Sequence, residues 1–291
     1  MIMNIKHIIP ADRLSKSTLI GSYSVASKYI ETFIAAKHGN SQAQYNLGFM
    51  YANGSGFLKN NHKAVSWYRK SAEQGCAIAQ STLAYMYGSG KGTYQSDQEA
   101  AIWCHKAAEQ NIALAQLMLS VMYVNGRGVA QNDNEAVLWC RKAAEQNYAR
   151  AQYNLGFMYT KGKGVTQSYK IAVSWFKKAS EQGYAKAQSN LGYMYSKGIG
   201  ILKNDELAAY WFRKAGEQGN AKAQYCLSVM YYKGHGVPRC DKHAYAWVSL
   251  ALINGYENAH KSQDFLVNKM TSDTLSQAKD LAEKLLDYIT I

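Results

Sequence analysis

The chain has 291 residues, 47% of them hydrophobic and 18% charged, with 33 Lys+Arg against 20 Asp+Glu and a formal net charge of +13. That apolar content can bury a continuous core and excludes the disordered class, and no stretch offers the ~18 consecutive apolar residues of a membrane span. The five cysteines are odd in number and lack paired spacing, which argues against a disulfide framework and predicts reduced thiols.

Met1 to Ala26 has short apolar runs broken by Asn4, Lys6, Pro10, Asp12 and Arg13, a poor hydrophobic region for a secretory signal. The segment reads either as a short helix or as a mobile tail. A cytoplasmic protein is the simplest expectation, with translocation as an effector left open. Residues from about Ser27 to Asn40 read as the second helix of an earlier, decayed repeat, because Ala36 and Gly39 align with Ala72 and Gly75. Residues 1–40 are therefore assigned to an N-terminal segment with a capping helix.

From Ser41 the same unit is written six times without insertion, over 41–76, 77–112, 113–148, 149–184, 185–220 and 221–256. Ala-Gln pairs fall at 43/44, 79/80, 115/116, 151/152, 187/188 and 223/224, and the tryptophans at Trp67, Trp103, Trp139, Trp175, Trp211 and Trp247 keep the same step. A fixed period in this range means stacked repeats, so one elongated array is expected in place of globular domains. In the fourth unit Tyr153, Leu155, Met158 and Tyr159, then Ala172, Trp175, Phe176 and Ala179, recur at helical spacing and predict two short amphipathic helices. Ala151, Gly156 and Ala172 are small where the helices must approach. Gly162 follows the first helix as its left-handed cap, and Gly75, Asn111, Asn147, Gly183, Gly219 and Gly255 end the second. Asp97, Asp133, Asp205 and Asp241 are expected to cap the start of the second helix, with Ser168 taking that place in the fourth unit.

The recurring string A-x-A-Q-Y-x-L-G-x-M-Y-x-x-G-x-G-V, then A-x-x-W-[FY]-x-K-A-x-E-Q-G, resembles the Sel-1-like repeat, a relative of the tetratricopeptide repeat. The resemblance implies an all-α fold, a right-handed superhelical solenoid of antiparallel helix pairs, over 41–256. It also implies a bacterial scaffold or adaptor for signalling, envelope regulation, host interaction or toxin neutralisation, with no catalysis. Residues 257–291 are assigned to C-terminal capping helices, with Ala259-His260 opening a truncated seventh unit and Leu275, Ala278, Leu281, Leu285 and Ile289 on one face.

Catalysis would need a constellation that departs from the repeat. The stretch Gly88-Ser89-Gly90-Lys91-Gly92-Thr93 lacks phosphate-loop spacing and a preceding strand. Cys226, His235, Cys240 and His243 are the sole local group of potential metal ligands, and their spacing matches no common zinc pattern. No metal, cofactor or catalytic residue is therefore assigned.

The tetratricopeptide resemblance implies that the first helix of each pair lines the concave side. On that helix Tyr153, Phe157, Tyr193 and Tyr225 are expected to face the groove, together with Arg150, Lys161, Lys186, Lys197, Lys222 and Lys233. The equivalent cationic positions are neutral in the first three repeats. Between Arg150 and Lys242 there are 15 Lys/Arg against 5 Asp/Glu, a net +10 of the chain's +13. The expected partner is an acidic protein or peptide, bound by a monomer. The alternatives weighed are a nucleic-acid-binding solenoid, disfavoured because the cations come singly and not in blocks, and, further behind, a metal-dependent or penicillin-binding enzyme.

Overall fold

In the computed structural model, which describes residues 16–290, the chain is all α-helical, with no strand among the described residues. Residues 1–15 lie outside the described residues, and so does any expectation for them; residues 16–26 are helical.

By its contacts the chain divides into two compact units, Met1–Lys142 and Ala143–Ile291. The first contains α1 (Lys16–Lys37), α2 (Ser41–Asn53), α3 (Asn61–Glu73), α4 (Ala77–Ser89), α5 (Asp97–Glu109), α6 (Ala113–Asn125) and most of α7 (Asp133–Glu145). The second contains α8 (Ala149–Lys161), α9 (Tyr169–Glu181), α10 (Ala185–Lys197), α11 (Asp205–Gly216), α12 (Ala221–Lys233), α13 (Asp241–Ile253), α14 (His260–Lys269) and α15 (Ser272–Thr290).

Each repeat is an antiparallel helix pair, as three links between α2 and α3 show. Asn60 N–H donates to the Tyr51 carbonyl at 2.8 Å, Gly48 faces the Tyr68 ring, and Ser71 Oγ donates to the Ser41 carbonyl at 2.8 Å. As α2 is followed backwards, α3 is followed forwards. The centre of every pair is a fully buried leucine: Leu47, Leu83, Leu119, Leu155, Leu191 and Leu227. Each such side chain contributes about 1.5–3 kcal/mol by burial.

The glutamine of each Ala-Gln pair is buried and joins one repeat to the one before it. Gln188 Nε2 donates to the Ser180 carbonyl at 3.1 Å, while its Oε1 accepts from Gln218 Nε2 at 2.8 Å. Gln80 does the same with Ala72 and Gln110. A buried amide is tolerable only when both of its ends are paired, and here the periodic Gln of the Glu-Gln-Gly turn supplies the second partner. At the N-terminal end Gln44 uses Ala36 in the same way, and Gly39 has φ 92° where Gly75 has φ 88°. Helix α1 thus makes the contacts of a second helix.

The loop after each first helix needs both of its glycines. Gly198 is the left-handed cap with φ 67°, and its N–H bonds to the Met194 carbonyl. Gly200 also has positive φ, and a Cβ there would lie 2.5 Å from the backbone of Tyr169, at the start of the preceding second helix. Asn111 and Asn147 are left-handed with φ 65° and 63°, as expected of glycine substitutes.

The aspartate caps are corrected by one residue. The capping side chains belong to Asn60, Ser96, Asn132, Ser168 and Asn204; Asn204 Oδ1, for example, accepts the Leu207 N–H at 2.8 Å. Asp97, Asp133, Asp205 and Asp241 are the first residues inside their helices. The cap must have extended φ/ψ so that its side chain can turn back. An acid one place later is favoured by the helix dipole instead.

The tryptophans support the second helices, and lysines cover their rings. Lys70 sits 4.4 Å from the Trp67 ring centre and Lys178 4.4 Å from that of Trp175. At the C-terminal end Trp247, Val248, Leu250 and Ala251 of α13 are buried, and Leu275, Ala278, Leu285 and Ile289 of α15 pack on that cluster. None of the five cysteines is in a disulfide. Cys104 and Cys140 are buried, and burial pushes both thiols up to about 12; Cys76, Cys226 and Cys240 are half-buried.

Candidate partner-binding site

On an α-helix, residues spaced 4, 3 and 4 apart stay within a narrow stripe at ~100° per residue. In the second unit three first helices carry such a stripe: Arg150, Asn154, Phe157 and Lys161 on α8; Lys186, Asn190, Tyr193 and Lys197 on α10; Lys222, Cys226, Val229 and Lys233 on α12. The opposite face is fixed inward by the buried Leu155, Leu191 and Leu227. Burial of the leucine row is what turns the stripe outward.

The six cations are all exposed, three in the first turn of their helices and three at the last residue. Phe157 and Tyr193 are 47% and 42% exposed between them. No Asp or Glu occurs anywhere in α8, α10 or α12. Among the described residues, none of the six cations forms an ion pair. Two lean over rings: Lys161 Nζ lies 5.8 Å from the Phe157 centroid, and Lys222 reaches from α12 to within 5.7 Å of that of Tyr193 on α10. Lys222 and Lys197 also flank Cys226, whose thiol burial pushes up against their opposing pull.

Tyr153 and Tyr225 are placed differently from the sequence expectation. Both are half-buried. The Tyr153 ring lies 5.7 Å from Phe176 and 5.2 Å from Tyr184, and Tyr225 stacks on Tyr256 at 4.9 Å. Each sits ~40° around the helix from the stripe residue four places later, Phe157 or Val229, enough to tuck it against the next turn of chain. Burial and the neighbouring Tyr184 raise the Tyr153 phenol above its ordinary value. The stripe positions overlooked in the sequence are Asn154 and Asn190, both half-buried between cation and ring. The 4-3-4 spacing is the signal that finds them.

In the first unit the equivalent stripe reads Gln42, Asn46, Phe49 and Asn53, then Ile78, Thr82, Tyr85 and Ser89, then Leu114, Met118, Val121 and Asn125, without a charge. Phe49, Ile78, Tyr85 and Leu114 are about half exposed.

The metal-ligand group separates. Cys240 and His243 come together, Sγ to Nδ1 at 3.1 Å, while Cys226 belongs to the lysine-flanked stripe. Among the described residues no three His, Cys, Asp or Glu side chains are grouped so as to hold a metal ion. No described helix is long and apolar enough to cross a membrane.

Comparison with known proteins matches six consecutive segments, residues 41–76, 77–112, 113–148, 149–184, 185–220 and 221–256, to the Sel1 repeat. A Sel1 repeat protein from Oxalobacter formigenes superposes with a TM-score of 0.67 at 34% identity, covering 78% of this chain and 96% of that one. A protective antigen of uropathogenic Escherichia coli strains, displaying an SLR fold, superposes with a TM-score of 0.57 at 26% identity, over 91% of this chain and 72% of that one. A sel1-like repeat-containing protein of Acanthamoeba polyphaga mimivirus is 56% identical over 41 residues, which span 14% of this chain and 7% of that protein.

Proposed function

We propose, from the premise that this chain belongs to the Sel1 repeat family, that it is a non-catalytic adaptor whose second unit binds an acidic polypeptide along the first-helix stripe. Sel1 repeats are in general protein-interaction repeats, and the finer reading concerns what this copy selects. The observation that carries it is the charge layout of α8, α10 and α12: Arg150, Lys186 and Lys222 at one end, Lys161, Lys197 and Lys233 at the other, with no acid on any of the three helices. A basic face without internal partners is self-repelling and gains most from an anionic ligand. Such charges steer encounter and exclude cationic competitors, while exposed Phe157 and Tyr193 offer rigid contact area. The Asn154 amide offers a donor and an acceptor to a peptide main chain, while that of Asn190 is shared with Tyr153.

The test compares wild type with the triple variant Lys161→Glu, Lys197→Glu, Lys233→Glu, using a fluorescent Glu-rich peptide, its Lys-rich counterpart and a DNA oligonucleotide of equal charge. All three sites are exposed, so circular dichroism should be unchanged. The expected result is binding of the acidic peptide by wild type alone. Equal affinity of wild type for the oligonucleotide would replace this reading with the nucleic-acid one, and an unaffected variant would move the site off these helices.

A further inference from the structure

The start of α13 breaks the repeat twice. Where the other second helices have a capping Asn or Ser, this one has Cys240, whose side chain makes no capping bond. Three residues on, where the other repeats carry Lys63, Glu99, Glu135, Ile171 and Leu207, stands His243. The two departures meet: His243 Nδ1 lies 3.1 Å from Cys240 Sγ, at hydrogen-bonding distance for sulfur. The place of His243 over the Tyr231 ring repeats that of Lys63 over Tyr51, but packing of the repeat explains neither the imidazole nor the thiol facing it.

The surroundings hold this pair in place and leave it reachable. The imidazole stacks on the Tyr231 ring of α12, centroids 4.8 Å apart and planes 20° apart, and Arg213 of α11 donates to the Tyr231 hydroxyl. Cys240 is half-buried and lines a cavity of about 370 Å³ between α13 and the start of α15, with Arg239, Asp241, Lys242 and Thr274. A second cavity of about 290 Å³ adjoins His243 and brings Asp280 and Lys284 of α15 to its rim. Lys242 is shared by both cavities, and each lining carries more cations than carboxylates. Burial, together with Arg213 and Lys242, holds the imidazole below its ordinary value, so at neutral pH it is uncharged and one ring nitrogen is left as an acceptor facing the Cys240 sulfur.

We propose that Cys240 and His243 form a reactive thiol–imidazole pair that takes up a small anionic disulfide, giving a mixed disulfide at the α13–α15 cleft. The Cys240 sulfur attacks one sulfur of R–S–S–R while its proton passes to His243 Nδ1. The Cys240–S–R bond forms as the S–S bond breaks, and the departing thiolate recovers the proton from His243. The oxidant is the disulfide itself, so no electron acceptor is missing from the balance. Carboxylates on R would meet Lys242, and Arg239 where it lies beside Asp241 at 3.8 Å. This is a modification site, independent of the proposed binding stripe.

The experiment incubates the native protein with oxidised glutathione near neutral pH and follows adducts by intact-mass and peptide mass spectrometry. Neutral hydroxyethyl disulfide serves as comparison. The expected result is one glutathione adduct on Cys240, formed faster than on half-buried Cys76 and Cys226, with buried Cys104 and Cys140 untouched. His243→Gln should slow it roughly tenfold or more. Cys240→Ser should abolish it in a folded protein, because serine is the cap already used at Ser96 and Ser168. Modification of Cys76 or Cys226 at the same rate as Cys240, or an undiminished rate in the His243 variant, would overturn the proposal. An equal rate with the neutral disulfide would overturn its anionic preference.

Discussion

Gly156 on α8 lies so close to Phe176 on α9 that a Cβ at Gly156 would stand 2.9 Å from two carbons of the ring. The same pairing recurs at Gly48 with Tyr68 and at Gly192 with Phe212, where the added carbon would stand 2.7 and 2.9 Å from the ring. Where the glycine is replaced by Ala84, Ser120 or Ser228, the residue twenty places later is small or slim: Cys104, Cys140 or Val248. Backbone approach and ring size are exchanged against each other within every helix pair.

That exchange predicts the outcome of a double-mutant cycle. Gly156→Ala alone should destabilise the protein by about 1–3 kcal/mol through overpacking against a full-size ring. Combining it with Phe176→Cys recreates the Ala84–Cys104 pairing, so the two costs should add to less than their sum in urea denaturation. Strict additivity would mean that the ring and the glycine are not in the contact described.

Gln188→Leu removes an amide with a partner at each end. The Ser180 carbonyl and the Gln218 side chain each lose one bond and keep another, to the Gly183 N–H and the Lys214 carbonyl. The expected loss is that of two hydrogen bonds, about 1–3 kcal/mol in all. Amide exchange should rise at the α9–α10 turn first. Gln218→Leu, which strips only one end, should cost less.

For the binding stripe, affinity for an acidic peptide should fall steeply with salt. Raising ionic strength from about 0.1 M to about 1 M shortens the screening length from ~10 Å to ~3 Å, and exposed cations such as Lys197 and Lys233 are fully subject to it. The loss should appear chiefly in the association rate. Affinity indifferent to salt would assign binding to Phe157 and Tyr193 and take the role away from the cations.

His243 links stability to pH. Its folded-state value lies below the ordinary histidine range, through burial first and then through Arg213 and Lys242. The unfolded chain therefore binds more protons in the window between the two values, and stability rises with pH across it. The contribution is whole above the unfolded value of ~6.5 and is lost as pH falls toward the folded one. Urea midpoints should accordingly drop more on acidification in wild type than in His243→Gln, and the imidazole proton resonance should titrate below its usual range.

The sequence by itself determined the unit, its length, its two helices and its left-handed caps, because a period of identical spacing and the steric privilege of glycine and asparagine at positive φ are local properties. Gly162, Asn111 and Asn147 could be assigned without a neighbour in view. Charge was legible too, since Arg150, Lys161, Lys186, Lys197, Lys222 and Lys233 recur on a helix whose leucine must face inward. Only the tertiary structure decided the rest, for the physical reason that each remaining feature depends on a partner remote in sequence. Gln188 is explained by groups eight residues before it and thirty after it. Tyr153 and Tyr225 are half-buried because Tyr184 and Tyr256 stand against them, a matter of tens of degrees that helical periodicity does not resolve. Cys240 and His243 look like scattered members of a loose ligand group until the cap geometry of α13 sets them 3.1 Å apart and α15 closes a cavity beside them.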